Sequence, residues 1–218
     1  MCGNGASANT RLGSVAQAGD FVNLRSNLPA LYWAAAAVLV VIQIAVLHAF
    51  GQPFFAASGH LMLWVNDPFS PDMSQQLADW YSFSHLIHGF IFFGLLHLAA
   101  PRLPLMARLL IAMGVEIGWE FAENSPVVIQ HYRQQALAAG YSGDSILNSV
   151  SDTVMMSSGF FLASRIRARY IVVTAVVFEL FTLSMIRDNL TLNVINLVAP
   201  SSWAPIQAIH RWQAGARH

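Results

Sequence analysis

Between Ser26 and Asn66 the chain carries no Asp, Glu, Lys or Arg. Inside this window lies "LPALYWAAAAVLVVIQIAVLHAF". A helix of that length crosses a hydrocarbon core of roughly 30 Å, which takes about 20 residues. Composition points the same way: 56% of the 218 residues are hydrophobic and 10% charged, where a soluble domain is nearer a quarter charged. The apolar runs predict spans near 29–50, 80–100, 105–124, 144–164 and 169–187. The last stretch, "NLTLNVINLVAPSSWAPIQAIHRWQ", is interrupted by Pro200 and Pro205, so a half-span or surface-lying helix is expected there. The fold class is therefore all-α: a polytopic membrane helix bundle of about five transmembrane helices in one domain, 28–215. The start, 1–27, reads as a mobile polar tail without the layout of a cleaved signal peptide.

Arginine placement orients the bundle. Arg11, Arg25, Arg102, Arg108, Arg165, Arg167 and Arg169 fall on one side, and Arg133, Arg187, Arg211 and Arg217 on the other. Seven against four makes the first side cytoplasmic, with the N-terminus inside. Eleven basic and eleven acidic residues leave no net charge, so nothing suggests a nucleic-acid partner; the partners expected are membrane lipids. Cys2 is the single cysteine, which excludes an intramolecular disulfide and a cysteine metal site.

The informative residues are the polar ones inside the spans. "GVEIGWEFAEN" puts Glu116, Glu120 and Glu123 on one helix face, and Ala112 continues it a turn deeper. Span two carries His85, His88 and Gly89 on one stripe; span four carries Asp144, Asn148, Asp152 and Gly159; span five carries Glu179, with Arg187 at its end. Counted inward at ~1.5 Å per residue, His88, Glu116, Asp152 and Glu179 lie ~12 to 13 Å deep, with His85, Glu120 and Asn148 a layer shallower. Ionisable groups at such depth cost about 2.5 to 3.5 kcal/mol each and usually face a bundle interior or a water-filled cavity. One polar pocket, open to the outer face, is expected.

Three fillings of that pocket stay open. The first is a divalent metal on His85, His88, Glu120 and Asp152, where nitrogen and oxygen ligands suit zinc, manganese or iron. The second is a metal-free acid–histidine network serving catalysis or proton movement; among the catalytic candidates Glu116 and Glu120 are the general bases, Glu116 the proton acceptor where a metal is held, and Asn148 would orient a neighbour. The third is structural glue between helices. Glu123 stands near a helix end, Asp144 has the look of an N-cap, and Arg187 suits a phosphate headgroup or the interface. The segment "VVIQHYRQQALAAGYSGDS" is placed to roof the pocket.

The motifs "DWYSFSHLIHGF", "WEFAENSPVVIQHYR", "GDSILNSVSDTVMMSSGF", "IRDNLTLNVINLV" and "WQAG" together closely resemble a bacterial multi-pass membrane family known as domain of unknown function 2585, across roughly 28–215. The resemblance implies an integral inner-membrane protein and supplies no activity. "GQPFFAASGHLMLW" departs from the family by lacking a cysteine after span one, which speaks against a thiol-dependent role. Two functions remain: a metal-assisted hydrolase or transferase acting on a lipid or lipid-linked substrate, or a non-enzymatic assembly factor or proton- or ion-handling protein.

Overall fold

The structure, a computed structural model, describes residues 9–134, 137 and 139–215, with backbone alone over 9–27. The described residues form eight helices and no strand: α1 (Asn9–Ala49), α2 (Ser82–Ala99), α3 (Leu105–Glu123), α4 (Pro126–Tyr132), α5 (Ile146–Arg165), α6 (Ala168–Ile186), α7 (Leu190–Val198) and α8 (Ala204–Ala214). The all-α class holds. Three helical stretches are long and apolar enough to cross a membrane: Leu28–Ala49 within α1, then α2 and α6. That is fewer than the five spans expected. α3 and α5 have the length, 19 and 20 residues. They fall short on composition, because α3 carries Arg108 and three glutamates, and α5 carries Asp152 and five serines.

Where that polarity goes is informative. On α3, Glu116 and Glu120 are buried, while the exposed positions include Ile111, Gly114, Val115, Gly118 and Ala122. On α5, Asp152 and Ser149 are buried; Val154 and Leu162 are exposed, and exposed Ser158 returns its hydroxyl to Val154 O at 2.8 Å. A soluble amphipathic helix hides its apolar stripe; these two hide their polar one.

Residues 1–8 of the expected tail lie outside the described residues, and 9–27 run on as helix into α1. Pro29 stands inside that helix, at the threshold of the apolar stretch. At the other end the chain forms two short helices. Nine-residue α7 is about 14 Å long at 1.5 Å per residue, too short to cross.

The helices meet on small residues and a compact apolar floor. α2 and α5 cross where Gly89 faces Gly159: a Cβ on Gly89 would stand 2.1 Å from Met156 O, and one on Gly159 2.2 Å from Leu86 O. Only bare backbone fits that crossing. Beneath the polar residues, Ala36 of α1, Leu109, Ala112 and Met113 of α3, and Met156 and Phe160 of α5 form one buried cluster. A second joins Ile87, Phe90, Ala163 and Ile171, tying α6 to α2 and α5.

The end of the bundle where α2 and α5 begin is closed by the long connection between α1 and α2, which has no regular secondary structure. Gln76, fully buried, takes the Met62 amide on its Oε1 at 2.9 Å and donates to His60 O at 3.0 Å. The same connection receives the start of α5. Ser145 N donates to Ser74 O (3.0 Å), Ile146 N to Pro53 O (2.8 Å) and Leu147 N to Phe54 O (3.2 Å). Asn148 N donates to the Ser145 hydroxyl, the actual N-cap. The first amides of a helix have no partner within it; here the α1–α2 connection supplies one to Ile146 and Leu147, and the Ser145 cap one to Asn148.

Candidate functional site

His85 is the hub. Its Nδ1 donates to Glu116 Oε1 at 2.5 Å, and His88 Nδ1 donates to Glu116 Oε2 at 3.0 Å. One carboxylate on α3 thus holds both α2 histidines through the same ring nitrogen. In a neutral imidazole held this way, Nε2 keeps its lone pair. His85 Nε2 lies 3.7 Å from Asp152 Oδ2, and His85 Nδ1 lies 3.7 Å from Glu120 Oε1. These spacings are too long for hydrogen bonds. Two ligands each ~2.1 Å from one tetrahedral metal stand roughly 3.4 Å apart, which the Nε2–Asp152 spacing approaches; Nδ1 is given to Glu116, so its distance to Glu120 is not a ligand spacing. His85, Glu120 and Asp152 offer atoms within 4.8 Å of one another, as do His85, His88 and Glu116.

Glu120 is oriented from behind. The Thr153 hydroxyl donates to Gln43 Oε1 (3.0 Å), Gln43 Nε2 donates to Ser149 Oγ (2.8 Å), and Ser149 Oγ donates to Glu120 Oε2 (2.6 Å). Every donor in that chain points towards the carboxylate. Glu120 Oε1 remains buried without a partner, and so does Asp152 Oδ1. Buried polar atoms are nearly always paired, so two orphaned carboxylate oxygens flanking one histidine mark a place for a proton or a cation.

Beside this cluster a cavity of about 60 Å³ opens between the start of α2, the end of α3 and the start of α5. Its wall includes His88, Trp119, Glu123, Tyr132, Asn148 and Asp152. Asp144, in the turn before α5, accepts from Asn124 Nδ2 (2.7 Å) and Tyr141 OH (2.8 Å). Gly143 at φ +95 makes that turn, and a Cβ there would meet Gln52 Nε2 at 2.3 Å. At the rim, burial pushes the Asp79 carboxyl up although Ser74 and Tyr81 amides donate to it. Asp188, just after α6, is pushed up to about 6, chiefly by burial.

The expected residues sort clearly. His85, His88, Glu116, Glu120 and Asp152 converge, and Glu123, Asp144 and Asn148 stand around the cavity. His85 is not confined to a shallower layer: it reaches both Glu116 and Asp152. Asp144 does not cap α5, because Ser145 already does. Asn148 donates to Gln76 O at 2.9 Å, which leaves it bracing the connection. Two candidates lie elsewhere. Glu179 accepts from Leu190 N and Thr191 N, both at 3.0 Å, and so takes up the first two amides of α7, whose N-cap is Asn189. Arg187 sits at φ 57 where α6 ends and donates to Trp212 O at 2.8 Å, anchoring α8. A depth count along one helix cannot tell which way a side chain points, and that separates these two from the rest. Gln43, Ser149, Gln76 and Asn124 were not foreseen. Gln43 alone left a trace, as the one amide in the apolar part of α1.

Fold and site together define a class: a helical membrane protein with a buried histidine–carboxylate cluster. Comparison with known sequences agrees. Residues 47–215 match the model of a family described as a protein of unknown function (DUF2585). A UPF0314 protein of Sphingopyxis alaskensis is 50% identical over 183 residues, covering 84% of this chain and 95% of the relative. One from Rhizobium johnstonii is 48% identical, covering 84% and 92%; one from Agrobacterium fabrum is 44% identical, covering 84% and 89%. The chain belongs to this DUF2585 family. No solved structure matches it.

Proposed function

We propose that the protein is a five-span inner-membrane hydrolase or transferase, N-terminus in the cytoplasm, that uses a divalent cation on His85, Glu120 and Asp152 to act on a lipid or lipid-linked substrate. The observation that carries this reading is the pair of orphaned oxygens, Glu120 Oε1 and Asp152 Oδ1, beside His85. A histidine that binds metal characteristically gives its other ring N–H to a carboxylate, and His85 gives its Nδ1 to Glu116. The reversed polarity of α3 and α5 supports two further crossings. Tyr81, Glu123, Asp144 and Leu190 at the cavity mouth all belong to the helix ends opposite the seven-arginine side, which supports an outward-facing site.

The roles follow from the contacts. Zinc, manganese or iron at this position would lower the pKa of a water. His88, whose Nδ1 is held by Glu116 and which borders the cavity, is the proton acceptor. Water gives its proton to His88, its oxygen bonds to an acyl or phosphoryl centre, and the departing alcohol takes the proton. Glu116 is then a positioning residue that fixes both imidazoles. Transport is disfavoured by the apolar cluster of Leu109, Ala112, Met156 and Phe160 beneath the site. Elemental analysis of protein purified in detergent tests the reading: one transition metal per chain is expected, falling at least tenfold in His85→Ala and in Asp152→Asn. Metal-free wild-type protein whose melting temperature ignores both chelator and added zinc, manganese and iron would end it.

A further inference from the structure

The charges of this chain are sorted between the two ends of the bundle. From 80 to 115 and from 153 to 178 there is no Asp or Glu. Those stretches hold Arg102, Arg108, Arg165, Arg167 and Arg169, in or beside the connections from α2 to α3 and from α5 to α6. Both connections lie at one end. The Tyr81 hydroxyl, before α2, reaches Asp188, after α6, at 3.0 Å, so the end of α2 and the start of α6 fall together at the other. Phe93, against which Arg108 rests, meets the Phe160 ring at 5.4 Å, little more than a turn before Arg165. α2 and α6 are both long and apolar enough to cross a membrane, which puts these arginines at headgroup level. The segment before the first apolar stretch adds Arg11 and Arg25 against Asp20.

Nothing in these connections neutralises the five. Among the described residues, ion pairs with carboxylates are made by His85 and His88 and by no arginine. Two guanidiniums are held in place by neutral groups. Half-buried Arg108 donates through Nη1 to His97 Nδ1 at 3.3 Å and lies 5.6 Å from the centre of the Phe93 ring. Arg169 stands 4.7 Å over the Tyr170 ring and donates to its hydroxyl at 3.0 Å. Arg102, Arg165, Arg167 and Arg169 are exposed. Like charges gathered on one surface repel unless a counter-charge arrives from outside, and the guanidinium fork matches phosphate oxygens. The neighbouring surface says what carries that phosphate. Leu98 is 80% exposed, Val172 61% and Val173 60%, within a turn or so of the arginines along the same helices. An anion borne on hydrocarbon chains meets both surfaces at once; a soluble anion meets only the first.

We infer that this end of the bundle binds the phosphodiester of an anionic phospholipid on Arg165, Arg167 and Arg169, with Arg102 and Arg108 contributing from the neighbouring connection and the acyl chains lying along Leu98, Val172 and Val173. The seat is at the opposite end from the histidine–carboxylate cluster and does not depend on it. The test titrates full-length protein in neutral detergent with phosphatidylglycerol and, separately, with phosphatidylcholine of the same chains, counting bound lipids by native mass spectrometry. Phosphatidylglycerol should be retained at least about tenfold more tightly, as several arginines near one anionic headgroup require. The preference should be lost in the triple variant Arg165→Gln, Arg167→Gln, Arg169→Gln, and return when the same three positions are lysine. It should persist in Arg133→Gln, at the other end. If the triple variant shows no cooperative unfolding, the double variant Arg102→Gln, Arg167→Gln takes its place, both positions being exposed. Equal retention of the two lipids overturns the inference, and so does a preference unchanged in the glutamine variants or lost as fully in Arg133→Gln. Displacement of the lipid by inorganic phosphate at equal concentration overturns it too, by assigning the patch to a soluble anion.

Discussion

Replacing Gly89 by alanine tests the coupling between helix packing and the site. The new Cβ would lie 2.1 Å from Met156 O and 2.5 Å from Phe160 N, both backbone atoms that no rotamer can move. Ordinary contact begins near 3.4 Å, so α2 and α5 must separate by about 1.3 Å (3.4 − 2.1) at the crossing. His85 lies one turn away on the same face of α2. If the helices part as rigid bodies, the 3.7 Å gap between His85 Nε2 and Asp152 Oδ2 opens to about 5 Å (3.7 + 1.3), beyond what one small cation can bridge. Overpacking of a closed interface costs typically ~1–3 kcal/mol. The assay pairs intrinsic tryptophan unfolding in detergent with metal stoichiometry, and Gly94→Ala serves as control because its Cβ meets nothing within 4 Å. Gly89→Ala should melt lower and hold less metal, while Gly94→Ala keeps both. If Gly89→Ala behaves like its control, the crossing does not set the site and the geometric argument fails.

Gln43→Leu should destabilise by about 1–3 kcal/mol, since it strands the Thr153 hydroxyl and frees Ser149 from its donor; equilibrium unfolding with Ser149→Ala alongside checks it. Glu179→Ala should cost ~0.5–1.5 kcal/mol for each hydrogen bond lost from the Leu190 and Thr191 amides, with metal content unchanged; a loss of metal would return Glu179 to the site. Asp188 gives a pH signature. Its folded pKa of about 6 lies above its ordinary 3.8, so the folded state holds a proton that the unfolded chain has released. Its contribution is complete below about pH 4 and is lost as pH rises to about 6, on the order of 3 kcal/mol. Asp188→Asn should flatten that part of a melting-temperature profile, and an unchanged profile would remove Asp188 as its source.

Sequence periodicity and depth were enough to gather the histidines and carboxylates of spans two, three and four into one place, because helical spacing fixes which residues share a face. They also put Gly89 and Gly159 on the same stripes as those residues, without showing that the two meet. Two kinds of information were not legible. Rotation of a helix about its own axis decides whether Glu179 faces the pocket or a neighbouring helix end, and that depends on packing. The contribution of the connection between α1 and α2 was hidden because its role runs through backbone carbonyls of Pro53, Phe54 and Ser74, which side-chain chemistry does not announce. Gln43 was hidden for the opposite reason: one amide among many apolar neighbours reads as a lapse in a lipid-facing span until its partners are known.

The fastening of α5 bears on how the protein is made. The three carbonyls that receive its leading amides are synthesised some 70 to 90 residues before it. At the ribosome, the seat exists first and the helix arrives late. The histidine–carboxylate centre therefore cannot close until the fifth of the eight described helices has been made, because Ser149 and Asp152 come with it.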